Sequence, residues 1–128
     1  METATRQPSI FVVMERDPFV AADLCDWIAR RWPDARILLA RSFAEAEGIL
    51  ATVPEGVFAV IDDTFPGASD GRLSALLPET CRGIVLVSRY GEAQPVPRHV
   101  MVDKPFTSAV LDGAYRRAMA PPSRKAAG

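Results

Sequence analysis

The chain has 128 residues and a mass of 13.9 kDa, the size of one domain. Hydrophobic residues make up 48% and charged residues 24%, so the chain can bury a core and is not disordered as a whole. Basic residues number 15 and acidic residues 16, for a net charge of −1, which argues against a dedicated nucleic-acid surface. No apolar run approaches the roughly 18 residues of a membrane span. The N-terminal METATRQPS lacks the apolar core of a secretory signal, so the expected location is the cytoplasm. Cys25 and Cys81 stand far apart without a CxxC spacing and read as reduced thiols. His99 is the sole histidine, which serves a metal site poorly.

Ile10–Met14 (IFVVM) is apolar throughout, the pattern of a strand buried on both faces. Asp17-Pro18 follows, an N-cap with proline at the first helical position. A helix is expected over 19–32, with Val20, Leu24, Trp27, Ile28 and Arg31 at helical spacing and Pro33-Asp34 as its stop. Trp27 and Trp32 read as packing residues of that helix. Arg36–Ala40 (RILLA) reads as a second strand. Ser42-Phe43-Ala44-Glu45 is a capping-box pattern that opens a helix to about residue 53. Val57–Asp62 (VFAVID) is a third strand, apolar until its C-terminal end. Residues 65–71 (FPGASDG) form a loop by composition, and 72–77 leave room for only a short helix before Pro78. Residues 83–88 (GIVLVS) read as the fourth strand and 99–102 as the fifth. The stretch between Ser88 and Lys104 holds a strand and its two connections with little to spare. Pro95 and Pro97 oppose a helix there further. Thr107 caps a last helix to about residue 119. Residues 1–8 and 120–128 read as an N-terminal tail and a flexible tail or linker start, leaving one domain over 9–119.

Alternating strands and helices with apolar strands indicate a parallel sheet covered on both faces. Ligands in such sheets bind outside the C-terminal strand ends. Those ends are Glu15-Arg16-Asp17, Asp62-Asp63-Thr64, Ser88-Arg89 and Asp103-Lys104-Pro105. If the first and third strands pair, their acids sit side by side and suit a cation or a phosphoryl group.

These residues resemble a response-regulator receiver domain of two-component signalling, over roughly residues 9–119. The resemblance implies a flavodoxin-like (βα)5 fold with a doubly wound parallel five-stranded sheet. It makes Asp62, four residues before Pro66 in IDDTFPG, the phosphoacceptor. Glu15 matches the first position of the acidic pair and Arg16 the second. Ser88 matches the switch hydroxyl, and Lys104-Pro105-Phe106 matches the Lys-Pro element. The family implies Mg²⁺, here with Glu15, Asp62 and Thr64 as its candidate holders. It also implies a histidine kinase or other signalling protein as partner, a possible homodimer, and no membrane or nucleic-acid contact through this domain.

The chain departs from the family in three places. Arg16 stands where the family has a carboxylate ligand to Mg²⁺. Met101 stands where the family has an aromatic that reports the phosphorylated state, and methionine is too flexible for a sharp two-position switch. The fourth helix is expected to be shortened or missing, so the family's usual output face must differ. Asp63 is a poor substitute ligand, because neighbouring strand residues point to opposite faces. Asp17 is expected to serve as the N-cap. Glu15 and Asp62 against Arg16 and Lys104 can neutralise themselves without metal. Arg16, always charged and able to grip a carboxylate bidentately, is expected to pair with Asp62 or Glu15.

Three functions fit this reading. The first is an atypical receiver, an interaction module with weak or absent Mg²⁺-dependent phosphorylation at Asp62. The second is a conventional phosphoaccepting receiver. The third is a small α/β enzyme, which the missing GxxxxGK[ST] and GxGxxG loops discourage.

Overall fold

A computed structural model of the chain describes residues 7–54, 56–77, 81–88 and 99–120. Among the described residues its elements follow the order the sequence suggests. They are β1 (Ile10–Met14), α1 (Pro18–Arg31), β2 (Arg36–Ala40), α2 (Phe43–Thr52), β3 (Val57–Asp62), β4 (Cys81–Ser88), β5 (His99–Asp103) and α3 (Ser108–Met119). The five strands form one parallel sheet in the order β2-β1-β3-β4-β5. This is the flavodoxin-like, doubly wound arrangement. The strand order reverses between β1 and β3, so the cleft for a ligand opens where those two strands end.

Burial explains the strand sequences. β1 and β3 are central and every residue of both is buried, which is why they read as unbroken apolar runs. β2 lies at an edge and starts exposed, hence its leading arginine. α1 and α3 cover one face of the sheet, on Phe11, Val13, Phe58, Val60, Val85 and Val87. On that face Trp32 stacks on Phe11 at 4.7 Å, and Trp27 donates from its indole Nε1 to Asp112 at 2.9 Å. Both tryptophans therefore join α1 to the sheet and to α3, as packing residues. α2 covers the other face, on Val12, Met14, Ala59 and Ile61, joined by Leu73 and Leu77.

Local chemistry fixes the helix starts. The Asp17 carboxylate accepts from the amides of Phe19 and Val20, and Pro18 opens α1. Ser42 Oγ accepts from the Glu45 amide at 3.1 Å. The Glu45 carboxylate reaches back one residue further than the usual box, to the Arg41 amide at 2.7 Å. Thr107 caps α3 through the Val110 amide.

The short helix expected over 72–77 is a single 3-10 turn at Leu73–Ala75. The loop before it packs under α2. Gly67 has φ +95°, and a Cβ there would stand 2.6 Å from the Phe43 ring. Arg72 lies over that ring at 4.4 Å. β4 begins two residues earlier than its apolar pattern, at Cys81, and a register shift at Val57/Phe58 accommodates the extra length. β5 extends one residue further, to Asp103. The expectation of a shortened or missing fourth helix concerns 89–98, which lies outside the described residues.

Candidate functional site

Glu15, Asp62 and Lys104 meet at the C-terminal edge of the sheet. Glu15 follows β1, Asp62 ends β3 and Lys104 follows β5. The pairing of β1 with β3 sets the two acids side by side, as the strand ends imply. Lys104 reaches across β4 to both. Its Nζ lies 2.5 Å from Asp62 Oδ1 and 3.7 Å from Glu15 Oε1. All three side chains are largely enclosed: the lysine is 15% exposed and the carboxylates less than 5%. The Lys104–Pro105 peptide is cis.

Asp62 is satisfied on both oxygens. Oδ1 takes Lys104, and Oδ2 accepts from the Thr64 amide at 3.0 Å and from the Thr64 hydroxyl. Glu15 is not. Its Oε2 accepts from the Asp17 amide at 3.0 Å, while its buried Oε1 has no hydrogen-bond partner among the described residues. Burial pushes the Glu15 carboxyl above the ordinary carboxylate range. The Asp17 amide and Lys104 oppose that rise, and the neighbouring Asp62 charge adds to it.

Arg16 departs from expectation. Among the described residues no ion pair joins it to Asp62 or Glu15. Instead its exposed guanidinium donates from Nη2 to the Thr64 carbonyl at 3.2 Å. The reason is position. Lys104 comes off β5 into the space between the carboxylates, while Arg16 leaves the end of β1 at the surface and meets the loop after β3. The cation that neutralises Asp62 is therefore Lys104. Thr64 is held from both sides, with its amide and hydroxyl on Asp62 and its carbonyl under Arg16.

Asp63 and Ser88 form a second pair. The Ser88 hydroxyl donates to Asp63 Oδ2 at 2.8 Å, and both residues are buried. The two adjacent aspartates thus serve different partners, as strand alternation requires. The resemblance makes Ser88 the switch hydroxyl and gives Asp63 no partner, so this pair is a finding of the structure. The strand ends held the signal: Asp62 lies level with Val87, so the next residues along are Asp63 and Ser88. Met101 is half-buried and packs against the core on the α2 face, away from these contacts.

The open cleft above Asp62 measures about 560 Å³ and is walled by Glu15, Arg16, Asp17, Pro18, Phe19, Asp62, Thr64 and Lys104. Whether Mg²⁺ suits it depends on the donors. Mg²⁺ needs oxygen ligands in near-octahedral geometry, with one or two carboxylates among them. Here Arg16 occupies the Thr64 carbonyl, and Lys104 and Thr64 occupy the Asp62 carboxylate. Among the described residues no three His, Cys, Asp or Glu side chains gather to hold a metal ion. With Lys104 on Asp62 and Arg16 on the Thr64 carbonyl, Glu15 Oε1 is the one carboxylate oxygen of this set left without a hydrogen bond among the described residues.

By sequence, no family model matches the chain and no curated protein matches it significantly. The fold has clear likenesses. A response regulator receiver protein from Sinorhizobium medicae is 22% identical, with a TM-score of 0.63 over 88% of this chain and 95% of that one. The bacteriophytochrome response regulator AtBRR is 14% identical, with a TM-score of 0.68 over 92% of this chain and 97% of that one. The chain has the fold of a response-regulator receiver domain. The anti-anti-sigma factor PhyR from Bartonella quintana shares it too, at 15% identity and a TM-score of 0.68 over 91% of this chain. The chain spans about half the length of the PhyR structures, covering 46% and 50% of two of them. Within the receiver fold, Asp62 occupies the end of the central β3 strand, against the switch point where the strand order reverses.

Proposed function

We propose that the chain is an atypical receiver domain, a signal-transduction interaction module and not an enzyme, whose Asp62 accepts a phosphoryl group weakly or not at all by a Mg²⁺-dependent route. The observation that carries this reading is the self-neutralised acceptor. Lys104 sits on Asp62 at 2.5 Å and Arg16 covers the Thr64 carbonyl beside it. Phosphoryl transfer concentrates negative charge, and metal ions ordinarily neutralise it. In this site Arg16 stands where the family has a second carboxylate and donates to the Thr64 carbonyl, and its fixed charge opposes a metal there. The domain then holds one conformation through its own charges and signals by binding.

The partner class is a histidine kinase or another signalling protein. The likeness to PhyR, named as a stress response regulator and an anti-anti-sigma factor, adds regulators of sigma factors to that class. A homodimer remains compatible with this role.

The test is exposure of the unmutated chain to a small acyl phosphate, with and without millimolar Mg²⁺, followed by intact-mass measurement. The proposal expects little or no added phosphoryl group and no dependence on Mg²⁺. Ready Mg²⁺-dependent modification at Asp62 would establish a conventional receiver instead. Turnover of a generic phosphoester would point to an enzyme.

A further inference from the structure

Asp63 stands next to the acceptor and is only 9% exposed. A carboxylate buried to that degree needs a partner. The Ser88 hydroxyl supplies one at 2.8 Å, from a residue with no exposure at all. A serine hydroxyl carries a single proton, and Asp63 Oδ2 accepts it at hydrogen-bond distance. The backbone enforces the match. Asp62 lies level with Val87, and the Asp63 amide donates to the Val87 carbonyl at 3.0 Å. On the other side, the Lys104 amide donates to the Ser88 carbonyl at 2.9 Å. Ser88 is thus held at its backbone by β5 and at its side chain by β3. Neither Asp63 nor Ser88 lines the cleft over Asp62.

We propose that Asp63 is a positioning residue that holds the Ser88 hydroxyl in one rotamer, bonded to Asp63 and withheld from the Asp62 cleft. The two carboxylates at the end of β3 divide the site between them. Asp62 takes the lysine and Thr64, and Asp63 takes the hydroxyl. The inference deepens the atypical-receiver reading and rests on it only for its consequence. A hydroxyl that must abandon a buried carboxylate to follow a group on Asp62 responds poorly to modification there, because the carboxylate left behind is unsatisfied. Asp63 then uncouples the switch position from the acceptor.

The experiment is solution NMR of the full chain, reading the Ser88 Hα–Hβ couplings and the exchange of its hydroxyl proton. The unmutated chain should show one Ser88 rotamer and a slowly exchanging hydroxyl. Asp63→Ala should average the rotamer and speed hydroxyl exchange at least tenfold. Asp63→Asn, whose side-chain carbonyl still accepts, should restore both features. A folded Asp63→Ala chain with unchanged Ser88 couplings and exchange would overturn the proposal. Should Asp63→Ala unfold, the unmutated and Asp63→Asn chains decide it: averaged couplings in both would overturn it, and a single rotamer in both would uphold it. None of these signals reads phosphorylation. Failure here leaves the reading of Asp62 standing, and ready phosphorylation of Asp62 would leave the Asp63–Ser88 bond standing.

Discussion

Replacing Arg16 by aspartate should create Mg²⁺ binding. Arg16 Nη2 lies 3.2 Å from the Thr64 carbonyl. A Mg²⁺ bound to that oxygen at about 2.1 Å would stand no more than about 5 Å from the guanidinium. At ~5 Å and an effective dielectric of ~20, a single and a double positive charge repel by roughly 7 kcal/mol. Arg16 is exposed and its side chain can swing outward, so about half of that, ~3 kcal/mol, is the fair figure after screening. A millimolar site is worth only about 4 kcal/mol. The unmutated chain should therefore bind Mg²⁺ at least ~100-fold more weakly than a millimolar site. Arg16→Asp removes the repulsion, frees the Thr64 carbonyl and adds a carboxylate beside Glu15 and Asp62. Calorimetric titration of both proteins measures the difference, and amide shifts at Glu15 and Thr64 locate it. Millimolar Mg²⁺ binding by the unmutated chain would refute the reasoning, as would an Arg16→Asp chain that binds no better.

Lys104→Met leaves the buried Asp62 and Glu15 carboxylates without their cation, and should cost about 3–5 kcal/mol of stability in urea unfolding. Glu15→Gln should stabilise the chain at neutral pH. Because burial raises the Glu15 pKa in the folded state, its contribution to stability is fully present below the ordinary glutamate value of 4.5 and is lost as pH rises through the raised value. A melting-temperature profile between pH 4 and 8 should fall less steeply for Glu15→Gln than for the unmutated chain; parallel profiles would contradict the assignment. Gly67→Ala forces a positive φ on alanine and drives its Cβ into the Phe43 ring, so a loss of about 2–4 kcal/mol is expected in the same unfolding assay.

Much of the architecture was legible because its signals are local. The unbroken apolar runs of β1 and β3 announce central strands of a parallel sheet, and both match their expected spans. Asp17-Pro18, Ser42 and Thr107 mark the three helix starts through side chains that accept amides in the first turn. The third connection was harder to read. Leu73, Leu76 and Leu77 are spaced for a helix, yet Gly67, Gly71 and the Phe43 contact keep the chain in turns and leave one 3-10 turn. The site divided in the same way. Strand ends placed Glu15, Asp62 and Lys104 together, since topology alone sets their Cα positions. The partner of Arg16 was not legible. Which of two cations reaches Asp62 depends on side-chain paths from different strands, and the enclosed path belongs to Lys104. The Asp63–Ser88 bond needed the β3–β4 register, a one-residue detail that composition does not fix.

A crystal structure grown in Mg²⁺ reads the acceptor atoms themselves and tests the central claim most directly. The account predicts that Lys104 Nζ stays on Asp62 Oδ1 and that Arg16 stays on the Thr64 carbonyl, with no octahedral ion between them. An ion coordinated at about 2.1 Å by Glu15, Asp62 and the Thr64 carbonyl, with Arg16 displaced, would contradict it.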